Sequence, residues 1–252
     1  MIRGCLLAAA FAAALLHGSV AAQVEPLRVF SSNGVKAALD ELQPQSERLV
    51  GRPLAITFGT SASIRQRVGD GEPFDVAILT TDVIGELTKA GAIVPGSSVS
   101  MGRSGIGIGV RAGTMKLDLR TGDALKHILL AAGAVTYAAD GASRPSIARM
   151  LDTFGIAEAM KPRTILEQGS IRATARVVQG DADMVITLIS EILPIPGLEL
   201  AGPLPEEFQS YVSFAAGIGS KARNAEAARA FIASLAGPDA TRAFTSKGIE
   251  RP

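Results

Sequence analysis

Short apolar runs and one-sided helical patterns alternate along this chain, and the alternation runs twice. Leu27-Arg-Val-Phe30 reads as a strand, and Val35, Ala38, Leu39 and Leu42 then fall at i, i+3, i+4 and i+7 on one helix face. Pro44 is expected to interrupt that helix, and Gly51 to close the segment. Leu54-Ala-Ile-Thr-Phe58 is the next strand, followed by a helix from Ser61 to about Val68. Phe74 to Leu79 makes a third strand, with Thr81-Asp82 capping a helix that ends before Gly91. Strands covered by helices on both faces can be apolar throughout, so this rhythm implies a parallel α/β sheet.

A second copy begins near residue 121. Leu125, Ile128 and Leu129 mark a helix, Ala134-Val-Thr-Tyr137 a strand, and Ile147, Met150, Leu151 and Phe154 another helical face stopped by Gly155. Thr164-Ile-Leu166, a helix from Ser170 to Gln179, and Met184-Val-Ile-Thr187 complete it. Ile106-Gly-Ile-Gly-Val110 lies between the copies and Val212 to Gly219 after the second; each suits a strand passing between lobes. The helices Ala225–Leu235 and Pro238–Lys247 follow the second crossing and should pack back on the first lobe. Pro194-Ile-Pro196 and Pro203-Leu-Pro205 read as rigid connectors. The expected architecture is α/β: two lobes, 23–108 plus 214–252 and 109–213, joined by two crossing strands with a cleft between them.

The N-terminus has the grammar of an export signal. Met1-Ile-Arg3 is positive, Cys5 to Leu16 is apolar but too short to span a bilayer, and Ser19, Ala21 and Ala22 are small. Cleavage is expected after Ala21 or Ala22, giving a periplasmic protein. Cys5 opens the apolar stretch instead of ending it, which argues against lipoprotein processing. Beyond residue 22 there is no cysteine, and His127 is the single histidine. Disulfides, thiol nucleophiles and thiolate metal sites are thereby excluded. His127 lies inside a helical pattern with no serine elbow nearby, and no Walker loop, dinucleotide turn or His-Glu-x-x-His motif occurs. With 25 Lys+Arg against 24 Asp+Glu and no basic block, a nucleic-acid surface is also excluded. We expect no cofactor and no metal.

What remains informative is the set of strand-to-helix turns: Ser31-Ser-Asn-Gly34, Gly59-Thr-Ser-Ala-Ser63, Asp140-Gly-Ala-Ser-Arg144 and Gln168-Gly-Ser-Ile-Arg172. Each puts small hydroxyl or amide residues at a helix N-terminus, where unpaired N–H groups and the helix dipole favour an anion. Such residues are also the preferred caps of any helix, so one turn alone would signify little. Four turns at matched places in two lobes point to an anion held from both sides of a cleft. Ser61, Ser143 and Ser170 are the foremost contacts. Ser31, Thr60 and Ser63 read equally as caps or spacers.

Val29-Phe-Ser-Ser-Asn-Gly-Val-Lys-Ala-Ala-Leu39, Thr57-Phe-Gly-Thr-Ser-Ala-Ser-Ile64 and Gly71-Glu-Pro-Phe-Asp-Val76 resemble the periplasmic molybdate-binding proteins of ABC importers. Phe154 to Pro162 and Gly180-Asp-Ala-Asp-Met-Val185 extend the similarity over nearly the whole mature chain. The resemblance implies the type II periplasmic-binding-protein fold, a small anionic ligand, an importer permease as partner, and a monomer. Against that family's pattern, its first-loop serine falls at Gly34, preceded here by Ser32 and Asn33, and a tyrosine common in molybdate binders falls at Leu188. Ser61, Ser143 and Ser170 fall at its donor positions.

Arg144 and Arg172 follow two of those serines. Guanidinium forks grip planar carboxylates bidentately, so this pair points to an organic polycarboxylate, with Arg103 as a third contact and Arg149 and Arg176 assigned to the surface. The ligand set is therefore Ser32, Asn33, Ser61, Arg103, Ser143, Arg144, Ser170 and Arg172. Arg103-Ser-Gly-Ile-Gly107, Ile189 to Gly197 and Gly202-Pro-Leu-Pro205 also resemble a branch associated with exported aconitate isomerase. That resemblance implies an allylic proton shift and hence a general base, for which Asp140, Glu167 or a water on Asn33 are candidates; Asp140 reads equally as a helix cap. Three functions stand: a polycarboxylate-binding protein, an aconitate isomerase on the same scaffold, and a molybdate or tungstate binder.

Overall fold

The computed structural model describes residues 24–114 and 116–251; the signal segment expected over 1–22 lies outside them. In chain order the elements are β1 (Leu27–Ser32), α1 (Lys36–Val50), β2 (Leu54–Gly59), α2 (Ser61–Gly69), β3 (Val76–Thr80), α3 (Thr81–Lys89) and β4 (Val99–Arg111). Then come α4 (Gly122–Ala131), β5 (Val135–Ala138), α5 (Arg144–Thr153), α6 (Ala157–Met160), β6 (Thr164–Glu167), α7 (Ser170–Gln179), β7 (Met184–Leu188), α8 (Ile189–Ile192), β8 (Leu198–Pro203), β9 (Tyr211–Ile218), α9 (Ala225–Ser234) and α10 (Pro238–Ser246).

The strands among the described residues join in the order β2-β1-β3-β9-β4-β7-β5-β6, with β8 also paired to β4. β1 runs parallel to β2 and β3, and β5 parallel to β6 and β7, as crossover helices require. β4 links the two parallel groups. Its first half, Val99–Gly105, pairs antiparallel with β9, and its second, Ile106–Val110, with β7. The glycines that alternate along this strand make room for its neighbours: a Cβ at Gly107 would lie 2.8 Å from Leu200 Cδ1 and 2.9 Å from Ile189 Cγ1. α9 and α10 pack on α1, where Ser46 and Ser234 share a 3.2 Å hydroxyl contact. One core runs from Leu27 and Leu39 through Ile108 to Leu129 and Phe214, so both halves of the sheet share it.

Three expectations are corrected. α1 continues through Pro44. An interior proline forfeits one backbone bond and crowds the carbonyl four residues back; burial of Leu39, Leu42 and Ser46 on the same face offsets that cost. α3 begins one residue early, with Thr80 at the cap position. Pro203 ends a strand, β8, instead of opening a connector, because the antiparallel edge of β4 pairs with Leu198–Pro203.

Candidate functional site

All four turns sit at the carboxyl ends of β1, β2, β5 and β6. In the first, the Ser32 hydroxyl accepts the N–H of Gly34 at 3.2 Å, which commits it to capping the turn. Asn33 follows, buried, and its Nδ2 donates to Ser170 Oγ at 3.5 Å. Its Oδ1 is buried without a hydrogen-bond partner. In the second turn Thr60 caps α2, accepting the Ser63 N–H at 3.1 Å, and donates its own hydroxyl proton to Asp140 Oδ2 at 2.7 Å. Ser61 Oγ accepts the Thr80 N–H at 3.0 Å and ties this turn to the end of β3.

In the third turn Asp140 does not cap its own helix α5, whose cap position is held by buried Ser143 without a side-chain bond. Its carboxylate takes Thr60 on one oxygen and the Gly169 N–H on the other, at 2.9 Å. Gly169 can present that N–H because it holds φ 83° before α7, a conformation that disfavours side-chain-bearing residues. Thr60 follows β2 and Asp140 follows β5, so this bond joins the two halves of the molecule. The seam consists of Thr60–Asp140–Gly169 at one end and Asn33–Ser170 at the other.

Ser170 leads to the residue that sequence reasoning missed. Its hydroxyl donates to Glu191 Oε1 at 2.7 Å, and Thr187 donates to Glu191 Oε2. Desolvation pushes the Glu191 carboxyl above the usual carboxylate range, and the charge of Asp140 adds to the rise, against hydrogen bonds from Thr187, Ser170 and the Leu188 backbone. A signal was present: Glu191 is the one charged residue in the apolar stretch from Met184 to Ile195, four residues after Thr187 on the same side of a turn.

Two cavities flank the seam. One, of about 250 Å³, is lined by Asn33, Lys36, Ser170, Thr174, Ser190 and Glu191 over an apolar wall that includes Ile171 and Ile195. The other, of about 450 Å³, is lined by Ser61, Thr80, Asp82, Asp140, Tyr211 and Ser213 among others. Ser190 Oγ, like Asn33 Oδ1, is buried without a partner. Lys36 was another omission; its ammonium pairs with Asp40 at 2.7 Å and lies 4.3 Å from the centre of the Phe58 ring.

The arginines lie outside both cavities. Arg144 is exposed and donates to the Ala139 carbonyl at 2.7 Å. Arg172 is exposed one residue beyond cavity-lining Ile171. Arg103 pairs with Glu250 at 2.9 Å and covers the Tyr211 ring. Glu167, a candidate base, is held by Arg176 at 2.6 Å. His127 is an exposed helix residue contacting the Asp123 carbonyl. Beneath the first turn the floor is apolar: a Cβ at Gly34 would meet Phe214 Cζ at 2.4 Å and Leu188 Cδ1 at 3.2 Å, and both side chains are buried.

Two α/β halves linked through a shared strand, with helix N-termini facing one another across the seam, make this a type II periplasmic-binding-protein fold. The periplasmic molybdate-binding protein of Azotobacter vinelandii superposes with a TM-score of 0.77 at 17% identity, covering 90% of this chain and 99% of that one. The sulfate-binding protein of Mycobacterium tuberculosis H37Rv superposes at 0.69 and 19% identity, covering 89% and 86%. Residues 27–250 match the family described as bacterial extracellular solute-binding protein, and the chain belongs to that family. A curated relative, aconitate isomerase from a Pseudomonas species, is 30% identical over 242 residues, 90% of this chain and 88% of the relative.

Proposed function

We propose that this chain is an enzyme on a binding-protein scaffold, an aconitate-type isomerase that moves an allylic proton in an unsaturated tricarboxylate. The observation that carries the reading is a pair of carboxyl groups along the seam, Asp140 on the wall of the larger cavity and Glu191 on the wall of the smaller, near enough that the Asp140 charge acts on Glu191. A site built only to trap an anion gains nothing from two carboxyl groups, since like charges oppose binding. Acid–base chemistry uses such a pair when the environment separates the two protonation states. Glu191, pushed toward its neutral form, supplies the acid. Asp140, held by a hydroxyl and a backbone N–H, supplies the base.

The step balances without a cofactor. Asp140 takes a proton from the methylene carbon, and the electron pair of that C–H bond becomes the new double bond. The old double-bond pair takes a proton from Glu191 at the far carbon. Asp140 gains one proton, Glu191 loses one, and the substrate keeps its composition; the reverse turnover or exchange with water resets the pair. Ser61, Ser143, Ser170 and Asn33 with the helix N-termini hold the substrate carboxylates, and Lys36, with Arg172 next to cavity-lining Ile171, supplies cations at the rim. In this reading the lobes 23–108 plus 214–252 and 109–213 part along the seam to admit ligand, and residues 1–22 direct export of a periplasmic monomer.

The identity with the isomerase supports this assignment. Family membership favours a second reading, a binding protein that delivers a polycarboxylate to an importer permease. Molybdate is third, disfavoured by the apolar floor of Leu188 and Phe214. Incubating the purified protein with cis-aconitate and following the isomers by chromatography tests the assignment. Protein-dependent appearance of trans-aconitate is expected. Saturable binding with no conversion would overturn the isomerase reading in favour of the second.

A further inference from the structure

A fifth strand-to-helix turn, outside the four that the sequence singles out, opens on the larger cavity. Thr80 ends β3 and stands before α3, and Thr80, Thr81, Asp82 and Val83 all line that cavity. The backbone N–H groups of Thr81, Asp82 and Val83 have no hydrogen-bond partner among the described residues, since the first turn of α3 carries no side-chain cap. A free helix N-terminus is common; the Thr80 side chain sets this one apart. Threonine at a cap position ordinarily turns its hydroxyl onto the helix N–H groups, as Thr60 does for α2. Thr80 is 5% exposed, and its hydroxyl makes neither that bond nor any other among the described residues. Nor is it sealed in. The unpartnered side-chain atoms closed to solvent are Asn33 Oδ1, Arg52 Nε, Thr136 Oγ1 and Ser190 Oγ, and Thr80 Oγ1 is not one of them. The larger cavity is the space that Thr80 lines, so the hydroxyl opens there.

Ser61 supplies a second donor. Its Oγ accepts the Thr80 N–H at 3.0 Å, and a backbone N–H can only donate, so the Ser61 hydroxyl keeps its own proton for another partner. Ser61 lines the same cavity. The helix on the far wall offers less: in α5, Pro145 has no N–H, and the Arg144 N–H donates to the Gly141 carbonyl at 3.1 Å. We propose that the turn from Thr80 to Val83 is a carboxylate subsite, in which one carboxylate of an organic acid accepts the Thr80 and Ser61 hydroxyls and the N–H groups that open α3. The proposal deepens the isomerase reading and rests on it for the identity of the acid. Asp140 is bonded to Thr60 at 2.7 Å and lines this cavity, while Ser61, next in the chain, is bonded to Thr80. A carboxylate anchored on Thr80 therefore sits on the wall that carries the base.

Charge limits what the subsite takes. Asp82 and Asp140 line the larger cavity, and no lysine or arginine does. Asp140 is occupied by Thr60 and the Gly169 N–H. Asp82 is exposed and makes no hydrogen bond or ion pair among the described residues, so its carboxylate opposes an anion from the rim. One carboxylate fits here, held by neutral donors, and several would not.

Trans-aconitate and tricarballylate, the saturated acid that has no double bond to move, are the probes. Thr80→Val deletes the hydroxyl and keeps the shape, while Thr80→Ser keeps the hydroxyl. In calorimetric titrations Thr80→Val should weaken both acids by about tenfold, the usual contribution of a hydrogen bond to a charged group. Thr80→Ser should bind near wild type, and Asp82→Asn more tightly. A hydroxyl without a protein partner adds nothing to the ligand-free fold, so Thr80→Val should melt at or above the wild-type temperature. By NMR, the backbone amide signals of Asp82 and Val83 should move as either acid saturates the protein. Wild-type affinity in Thr80→Val, or amides that stay in place at saturation, would overturn the subsite; a lowered ligand-free melting temperature beside wild-type affinity would make the hydroxyl structural. If Thr80→Val weakens both acids and the amides move, yet wild type converts no trans-aconitate, the subsite stands and the isomerase assignment falls. If conversion proceeds in Thr80→Val with an unchanged KM, the assignment stands and the subsite falls. If neither acid binds the wild type, the subsite falls too.

Discussion

Thr60 and Asp140, 80 residues apart in sequence, share a 2.7 Å hydrogen bond that joins the two halves of the molecule. Thr60 hangs from β2 and Asp140 from β5, strands toward opposite ends of the sheet. The Asp140 carboxylate, bonded on its other oxygen to the Gly169 N–H, occupies the kind of helix-terminal position that an anionic ligand would use. In the isomerase reading, substrate must therefore compete with a carboxylate of the protein itself, and opening the seam would expose Asp140 to it.

Removing the Thr60 hydroxyl loosens both functions of that side chain. Thr60→Val deletes the bond across the seam and the cap of α2, and cap loss alone costs about 0.5–2 kcal/mol. Denaturant unfolding should show a loss in that range. Small-angle scattering of the ligand-free variant should show a larger radius of gyration than wild type, with tricarboxylate restoring compaction through hinge closure. An unchanged profile in both states would place the hinge elsewhere.

Glu191→Gln separates chemistry from stability. Loss of the acid should lower turnover by roughly 10²–10⁴-fold, the usual contribution of one positioned proton-transfer group. Stability should move the other way at neutral pH. Burial raises the folded-state pKa of Glu191 above its unfolded value. Its contribution is therefore fully present in acid and is lost as pH rises through the folded pKa. Glutamine carries no such loss, so the melting temperature of the variant should fall less between acid and neutral pH than that of wild type.

The sheet was legible in the sequence because its strands are continuous apolar runs and its helices one-sided, two periods that local composition distinguishes. The four turns were legible because cap residues and anion donors are the same residue types. What each turn residue does was not. Thr60, read equally as a cap or spacer, both caps α2 and bridges the seam, because its partner Asp140 comes from a distant strand. Arg144 was read as a cleft residue from its place at a turn, yet its guanidinium folds back on the Ala139 carbonyl. A guanidinium on a long side chain reaches in several directions from one backbone position, and sequence does not choose among them. Glu191 escaped notice because α8 is a single turn, too short to show a helical period.

Cations at the rim should govern affinity more than rate. Lys36 lines the smaller cavity, and Arg172 adjoins it through Ile171. A charge-assisted hydrogen bond contributes about 1.5–3 kcal/mol, so Lys36→Ala or Arg172→Ala should weaken a tricarboxylate by about tenfold or more. Arg176→Ala should leave affinity unchanged, since its guanidinium is engaged by Glu167 and Asp181. Calorimetric titration of the three variants decides this. Wild-type affinity in both Lys36→Ala and Arg172→Ala would leave the backbone and hydroxyl donors as the whole of the anion site.

Gly34 bears most directly on ligand class. The molybdate-binding pattern has a serine at this place, yet here a Cβ would stand 2.4 Å from Phe214 Cζ and 2.9 Å from Cε1. Phe214 is fully buried and held in β9, so its ring cannot withdraw without disturbing the core. Gly34→Ser should therefore destabilise the fold by about 1–3 kcal/mol, the usual cost of overpacking, and should not confer molybdate-dependent stabilisation. The double variant Gly34→Ser with Phe214→Leu vacates the ring and should recover part of that loss, at the expense of a smaller cavity term from the missing aromatic volume. Thermal melts with molybdate, sulfate and trans-aconitate distinguish the outcomes. If Gly34→Ser folds at wild-type stability and molybdate raises its melting temperature, the apolar floor is not what excludes tetrahedral oxyanions. If trans-aconitate alone stabilises the wild type and neither variant gains a molybdate response, the loss of the serine and tyrosine hydroxyls to Gly34 and Leu188 belongs to a site already rebuilt for carboxylates.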